Sequence, residues 1–151
     1  MNPVNVEKAI AIVRRAKNFD MTNYQIKINP IGGAKTTEEA MHACGNRACF
    51  AGYVAISPEW KADGGEVNSW SGTPMILDQN DERVSGSTAI AYWLGISDGL
   101  SDSLVHGNTS ADHPLSTAEG RYSLFYEKMF RDVEQQDVIN KLELILKGEL
   151  H

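Results

Sequence analysis

The chain has 151 residues, with 14 Lys and Arg against 20 Asp and Glu, for a formal charge of −6. Hydrophobic residues make up 42% and charged residues 23%, which is ordinary globular usage. This excludes a disordered chain, a collagen-like one, and a protein that holds nucleic acid by bulk neutralisation of phosphates. A chain of about 150 residues buries roughly 68–70% of its unfolded surface, enough for one core without disulfide staples. One globular domain over residues 1–151 is expected.

The first segment predicts an amphipathic helix. Val6, Ala9, Ile10, Val13 and Ala16 recur at helical spacing, with Glu7, Lys8, Arg14, Arg15 and Lys17 mostly on the other side. Asn2 is a suitable cap and Pro3 a tolerated first helical residue. The N-terminal residues show no basic region leading into an apolar run, and no stretch reaches the roughly 18 uninterrupted apolar residues of a membrane span. A cytoplasmic protein without membrane contact is expected. Two cysteines, Cys44 and Cys49, are too few for a disulfide scaffold and are expected to be free thiols.

Tyr24 to Ile28 alternates apolar and polar residues, as a short strand does. Asn29-Pro30-Ile31-Gly32-Gly33 reads as a loop, and Thr36-Thr37-Glu38-Glu39 as a capping box that opens a short helix through Met41. In the dense segment from His42 to Ile56, Gly45 permits a left-handed turn and Asn46 is a natural cap. A helix is predicted from Arg47, with Cys49, Phe50, Tyr53 and Val54 inward. Ser57-Pro58 ends it and begins a further turn. Residues 62–87 are rich in glycine and are expected to form an irregular insert. Val67–Trp70 and Met75–Leu77 have the composition to pair there as a hairpin. Beyond it, Thr88 to Leu94 with Gly95 predicts a short helix with a glycine stop. Ser97-Asp98 caps another that carries Leu100, Leu104 and Val105. Ser116-Thr117-Ala118-Glu119 opens a helix with Tyr122, Phe125, Tyr126 and Met129, and a last helix carries Val138, Leu142, Ile145 and Leu146. The fold class is mainly α with a minor β component: about six short helices and a small sheet of two or three strands.

The stretch Cys44-Gly45-Asn46-Arg47-Ala48-Cys49-Phe50-Ala51-Gly52-Tyr53, with Phe19-Asp20-Met21 before it and Leu94-Gly95-Ile96-Ser97 after it, resembles a group of small bacteriophage and bacterial proteins. Their motif is Cys-Gly-Thr-x-Ala-Cys-x-Ala-Gly-Trp; Asn46 stands for its Thr and Tyr53 for its Trp. The resemblance implies a phage-like origin and a fold, with Cys44, Gly45, Asn46, Ala48, Cys49 and Gly52 as its structural motif, and no reaction.

No set of residues spells out a reaction. A structural zinc site wants three or four Cys or His ligands in close pairs, and Cys44 with Cys49 has no second pair. Gly32-Gly33-Ala34-Lys35-Thr36 lacks the glycines of a phosphate loop. Asp78-Gln79-Asn80-Asp81-Glu82 reaches Arg83 and Val84 where a calcium loop needs its centre, so a solvated turn is expected. No metal and no cofactor are expected. The aromatic residues are expected to be mostly core, except that Trp60, Trp70 and Met75 are candidates for a recognition surface. The leading expectation is therefore a non-enzymatic phage-type protein that binds and inhibits a host protein, in host takeover or counter-defence, with a homo-oligomer as a further possibility. The alternative is a thiol-dependent enzyme, or a redox or metal-binding protein, centred on Cys49, Cys44 and His42. Nucleic acid is disfavoured by the charge, Arg14, Arg15 and Lys17 being available for a local basic patch.

Overall fold

Asn2 begins the first helix. Its Oδ1 accepts the Asn5 N–H at 3.3 Å, and Pro3 follows at the first helical position. Helix α1 (Pro3–Arg15) buries Val6, Ala9, Ile10, Ile12 and Val13. The computed structural model describes residues 1–21, 48–68, 72–106 and 132–150. The predicted strand Tyr24–Ile28, the loop after it, the capped helix through Met41 and the helix opening at Ser116 lie outside the described residues.

After α1 the chain forms a single parallel bridge between Phe19 and Ala48: Asp20 N–H donates to Ala48 C=O at 3.0 Å, and Ala48 N–H to Asn18 C=O at 3.3 Å. This bridge corrects the predicted helix start. Ala48 and Cys49 are extended, so helix α2 (Phe50–Ile56) begins three residues later than Arg47, with Cys49 rather than Asn46 as its cap. All seven residues of α2 are buried. Ser57 then caps α3 (Pro58–Ala62), its Oγ accepting from Trp60 N–H at 3.2 Å and donating to Val54 C=O at 2.8 Å.

The stretch expected to be an irregular insert holds a three-stranded antiparallel sheet in the order β1 (Glu66–Val67), β2 (Pro74–Leu77), β3 (Arg83–Ser85). The β1–β2 pairing is the hairpin expected between the Val67–Trp70 and Met75–Leu77 segments, each strand beginning one residue earlier. β3 is the strand that was not expected, three residues being too few to show a period. Asp78 makes the second turn: its Oδ1 accepts Asn80 N–H at 2.8 Å and Glu82 N–H at 2.9 Å, while Asp81 takes φ 60°. Helix α4 (Gly86–Leu94) ends on Gly95 at φ 64°, the left-handed stop its glycine predicts. Ser97 Oγ accepts Leu100 N–H at 3.3 Å at the start of α5 (Asp98–His106). Helix α6 (Gln135–Leu146) begins where Glu134 N–H donates to Asp137 Oδ2 at 2.8 Å, and it buries Val138, Ile139, Leu142 and Ile145.

The architecture among the described residues is six helices and one small sheet, mainly α. None of these helices is long and apolar enough to cross a membrane. α1 packs along α6 and α4 along α5, while α2 touches α1, α4, α5 and the sheet. Polar ties join these pairs. Asn5 Nδ2 donates to Trp93 C=O at 2.9 Å and Asn2 N–H to Leu94 C=O at 2.7 Å, fixing the start of α1 against the end of α4.

Asp63 and Glu59 clamp α3 to α1. Lys8 Nζ meets both Asp63 oxygens, at 2.8 and 2.6 Å, and Trp93 Nε1 donates to Oδ2 at 2.8 Å. Burial acts to raise the Asp63 carboxyl, but the Lys8 and Trp93 hydrogen bonds outweigh it and hold it below the usual carboxylate range. The two Arg15 hydrogen bonds, at 2.7 and 2.6 Å, hold Glu59 low as well. Carboxylates depressed in the folded state contribute stability that is present above the ordinary range and lost as pH falls through their folded values. Urea midpoints of the wild type should therefore drop between about pH 5 and about pH 2. The double variant Glu59→Gln, Asp63→Asn should start lower and show a flatter acid limb. An unchanged slope would remove these clamps from the pH response.

Candidate functional site

The two groups of residues singled out in the sequence fare differently. Of the cysteine motif, Cys44, Gly45 and Asn46, together with His42, lie outside the described residues. Ala48, Cys49 and Gly52 are buried where α2 enters the core. Cys49 is a free thiol with no exposed surface. Burial pushes its pKa up, outweighing the N–H groups of Gly52 and Ala51 that favour the thiolate, and the nearby Asp20 charge pushes it further. A helix start ordinarily makes a thiol more acidic. Here desolvation dominates, so the sulfur is a small core hydrophobe. Alkylation of Cys49 in the native protein, read by peptide mapping, should be slower than in denaturant by about a hundredfold or more, since it must await opening of the core. Rapid native labelling would contradict this placement.

Ser87, Asp102 and His106 come together between α4 and α5, in an order unsuited to nucleophilic catalysis. Ser87 Oγ donates to Asp102 Oδ1 at 3.2 Å, and His106 Nε2 lies 3.5 Å from the same oxygen. A serine nucleophile must hand its proton to the imidazole, with the carboxylate behind it; here the carboxylate stands in the middle. With Ser101 Oγ donating to Ser87 C=O at 2.6 Å, the group ties α5 to the first turn of α4. Among the described residues no three His, Cys, Asp or Glu side chains are grouped to hold a metal ion. The basic residues of α1 are engaged too: Arg14 pairs with Glu143 at 2.8 Å and Arg15 with Glu59.

The recognition candidates separate into three cases. Trp60 is core, a correction to its expected surface role. It is fully buried, packs edge-on to Trp93 with ring centroids 5.5 Å apart, and donates from Nε1 to Glu66 C=O at 3.0 Å. The sequence carried a signal for this: between Glu59 and Lys61, in a turn capped by Ser57, Trp60 is the one large apolar residue available to face inward. Trp70 lies outside the described residues, in the connection between β1 and β2. Met75 stands on the outer face of β2, half-buried, with Asn68 Nδ2 3.9 Å from its sulfur.

Leu77 joins Met75 on that face, and sequence reasoning missed it. Strand side chains alternate, so Pro74 and Ile76 point into the core while Met75 and Leu77 point out. Leu77 is 51% exposed in mid-sheet. The register sets Met75 opposite Glu66 and Ser85, and Leu77 opposite Arg83. Arg83 reaches Glu66 across the face at 3.5 Å, both side chains remaining about 60% exposed. An apolar centre with a polar, charged rim is the composition of a small protein contact. Pro74-Met75-Ile76-Leu77 is apolar throughout, so no alternation in the sequence marks Leu77; strand geometry puts it on the same side as Met75, and the packing of the sheet decides that this side is the outer one. No family model matches this chain, and no curated protein and no solved structure matches it either.

Proposed function

We propose that the protein is a non-enzymatic interaction protein of phage type, which binds a host protein through the outer face of its sheet and inhibits it. The observation that carries this reading is Leu77. A leucine held half-exposed on an ordered strand beside Met75 adds little to folding, and its solvation is relieved when a partner covers it. The sheet below is anchored by Trp60, so the face is presented on a fixed support, which lowers the entropic cost of docking. Trp70, in the connection joining β1 to β2, belongs to the same proposed surface by its place in the chain. The phage setting, host takeover or counter-defence in the host cytoplasm, rests on the motif from Cys44 to Tyr53 and on analogy. The thiol-based alternative needs an accessible sulfur, and the burial of Cys49 argues against it.

Capture from bacterial lysate tests the reading, with wild type beside Leu77→Asp, Met75→Asp and Trp70→Ala. Leu77→Asp should lose the specific partner about tenfold or more, as expected for a charge placed in an apolar contact, while its melting temperature stays near that of the wild type. Equal capture by wild type and Leu77→Asp would leave the face without this role.

A further inference from the structure

The outer edge of β3 carries unused backbone groups. Asp78 N–H donates to Glu82 C=O at 2.9 Å, which makes these two residues a hydrogen-bonded pair of the β2–β3 ladder. Alternation along the register makes Ile76 and Val84 the next such pair, and leaves Leu77 with Arg83 and Met75 with Ser85 as the non-bonded pairs. The N–H and C=O of Arg83 and the N–H of Ser85 therefore point away from β2, and among the described residues nothing engages them. At the opposite edge β1 is only two residues long, too short to template a further strand.

We infer that this edge of β3 accepts an extended segment of the partner protein as a fourth strand, and that the segment carries Lys or Arg next to alternating apolar residues; the inference rests on the interaction reading above. Charge decides the chemistry. Asp81 and Glu82 are exposed at the turn end of β3, and Asp78 and Glu66 add two further carboxylates, against the single cation of Arg83. A strand running past Arg83 towards that turn meets net negative charge, so a basic side chain is matched there. Ser85 is small, so a long apolar side chain opposite it reaches over to Met75, while one opposite Val84 extends the core beneath. A second copy of this chain fits poorly. Two β3 strands registered on Arg83 set like charges directly opposite, and the register on Val84 calls on the Ser85 carbonyl, which already serves α4 as its cap.

Random ten-residue peptides displayed and selected against the intact protein test this. The expected consensus alternates Val, Ile or Leu with Lys or Arg. Arg83→Pro removes one outward N–H without breaking a β2–β3 bond, so it should weaken the best peptide about tenfold. Arg83→Ala, which keeps that N–H, should bind as well or better, and Asp81→Asn with Glu82→Gln should bind less. N-methylation of alternate peptide amides gives the same answer if Arg83→Pro fails to fold: it should abolish binding. An acidic consensus, or peptides indifferent to N-methylation, would overturn the inference. A captured protein that requires Leu77 but is not displaced by the basic peptide would sink the edge and leave the docking face standing. Capture indifferent to Leu77 would sink the docking face, with the peptides still scoring the edge.

Discussion

Trp60→Ala is expected to cost about 3–5 kcal/mol of folding stability, the largest effect of a single truncation in the sheet-side core. The indole is fully buried, packs edge-on against Trp93 and adds a second donor to the Glu66 carbonyl, so its loss leaves a cavity and an unpartnered aromatic edge and removes a buried hydrogen bond. Gly65 is coupled to it. A Cβ built on Gly65 would lie 2.2 Å from Trp60 Cε2 and 2.3 Å from Nε1, closer than any real contact. The indole has no room to retreat. Gly65→Ala should therefore destabilise the wild type by about 2–4 kcal/mol, yet cost little in the Trp60→Ala background, where the cavity admits the methyl group. Urea denaturation of the four proteins gives the cycle. Additive losses would mean that the two residues do not press on each other.

Gly95→Ala is the second large effect. Gly95 holds φ 64°, which an L side chain adopts at a cost, and its Cβ would lie 2.8 Å from the Asn2 backbone nitrogen and 3.1 Å from the Met1 carbonyl carbon. These are backbone atoms, held by the Asn2–Leu94 and Asn5–Trp93 hydrogen bonds, so the start of α1 must shift from the end of α4. The expected loss is about 2–4 kcal/mol, combining strain with displacement of that contact. Gly148 offers the control. It has φ 75° and open space around its Cβ, so Gly148→Ala should lose about 1 kcal/mol, from backbone strain alone. Equal losses at both positions would show that close approach adds nothing at Gly95.

The helices were legible wherever a local device fixes them. Asn2-Pro3, Ser57-Pro58 and Gly95 act within a few residues, and the apolar spacing of α6 is regular enough to identify its buried stripe from Val138 to Ile145. What sequence alone missed depends on distant partners. Nothing near Arg47 announces that Ala48 bridges to Phe19, yet that bridge delays α2 until Phe50. Trp60 is buried because Trp93 meets it from another helix, and Arg14 and Arg15 lose their freedom to Glu143 and Glu59. β3 is a strand because the Asp78 turn folds it onto β2; Arg83-Val84-Ser85 alternates polar and apolar but is too short to announce a strand without that partner. The docking face inherits that difficulty. Met75 was visible as an apolar island, but Leu77 becomes a surface residue only when the two neighbouring strands settle which side faces the core.

Photo-crosslinking from position 77 tests the docking claim most directly. A benzophenone side chain at Leu77 should join one specific host protein in bacterial lysate, while the same group at Val4 or Tyr92, exposed apolar positions of the helices, should not. Crosslinks to the same protein from all three positions, or to none from position 77, would contradict it.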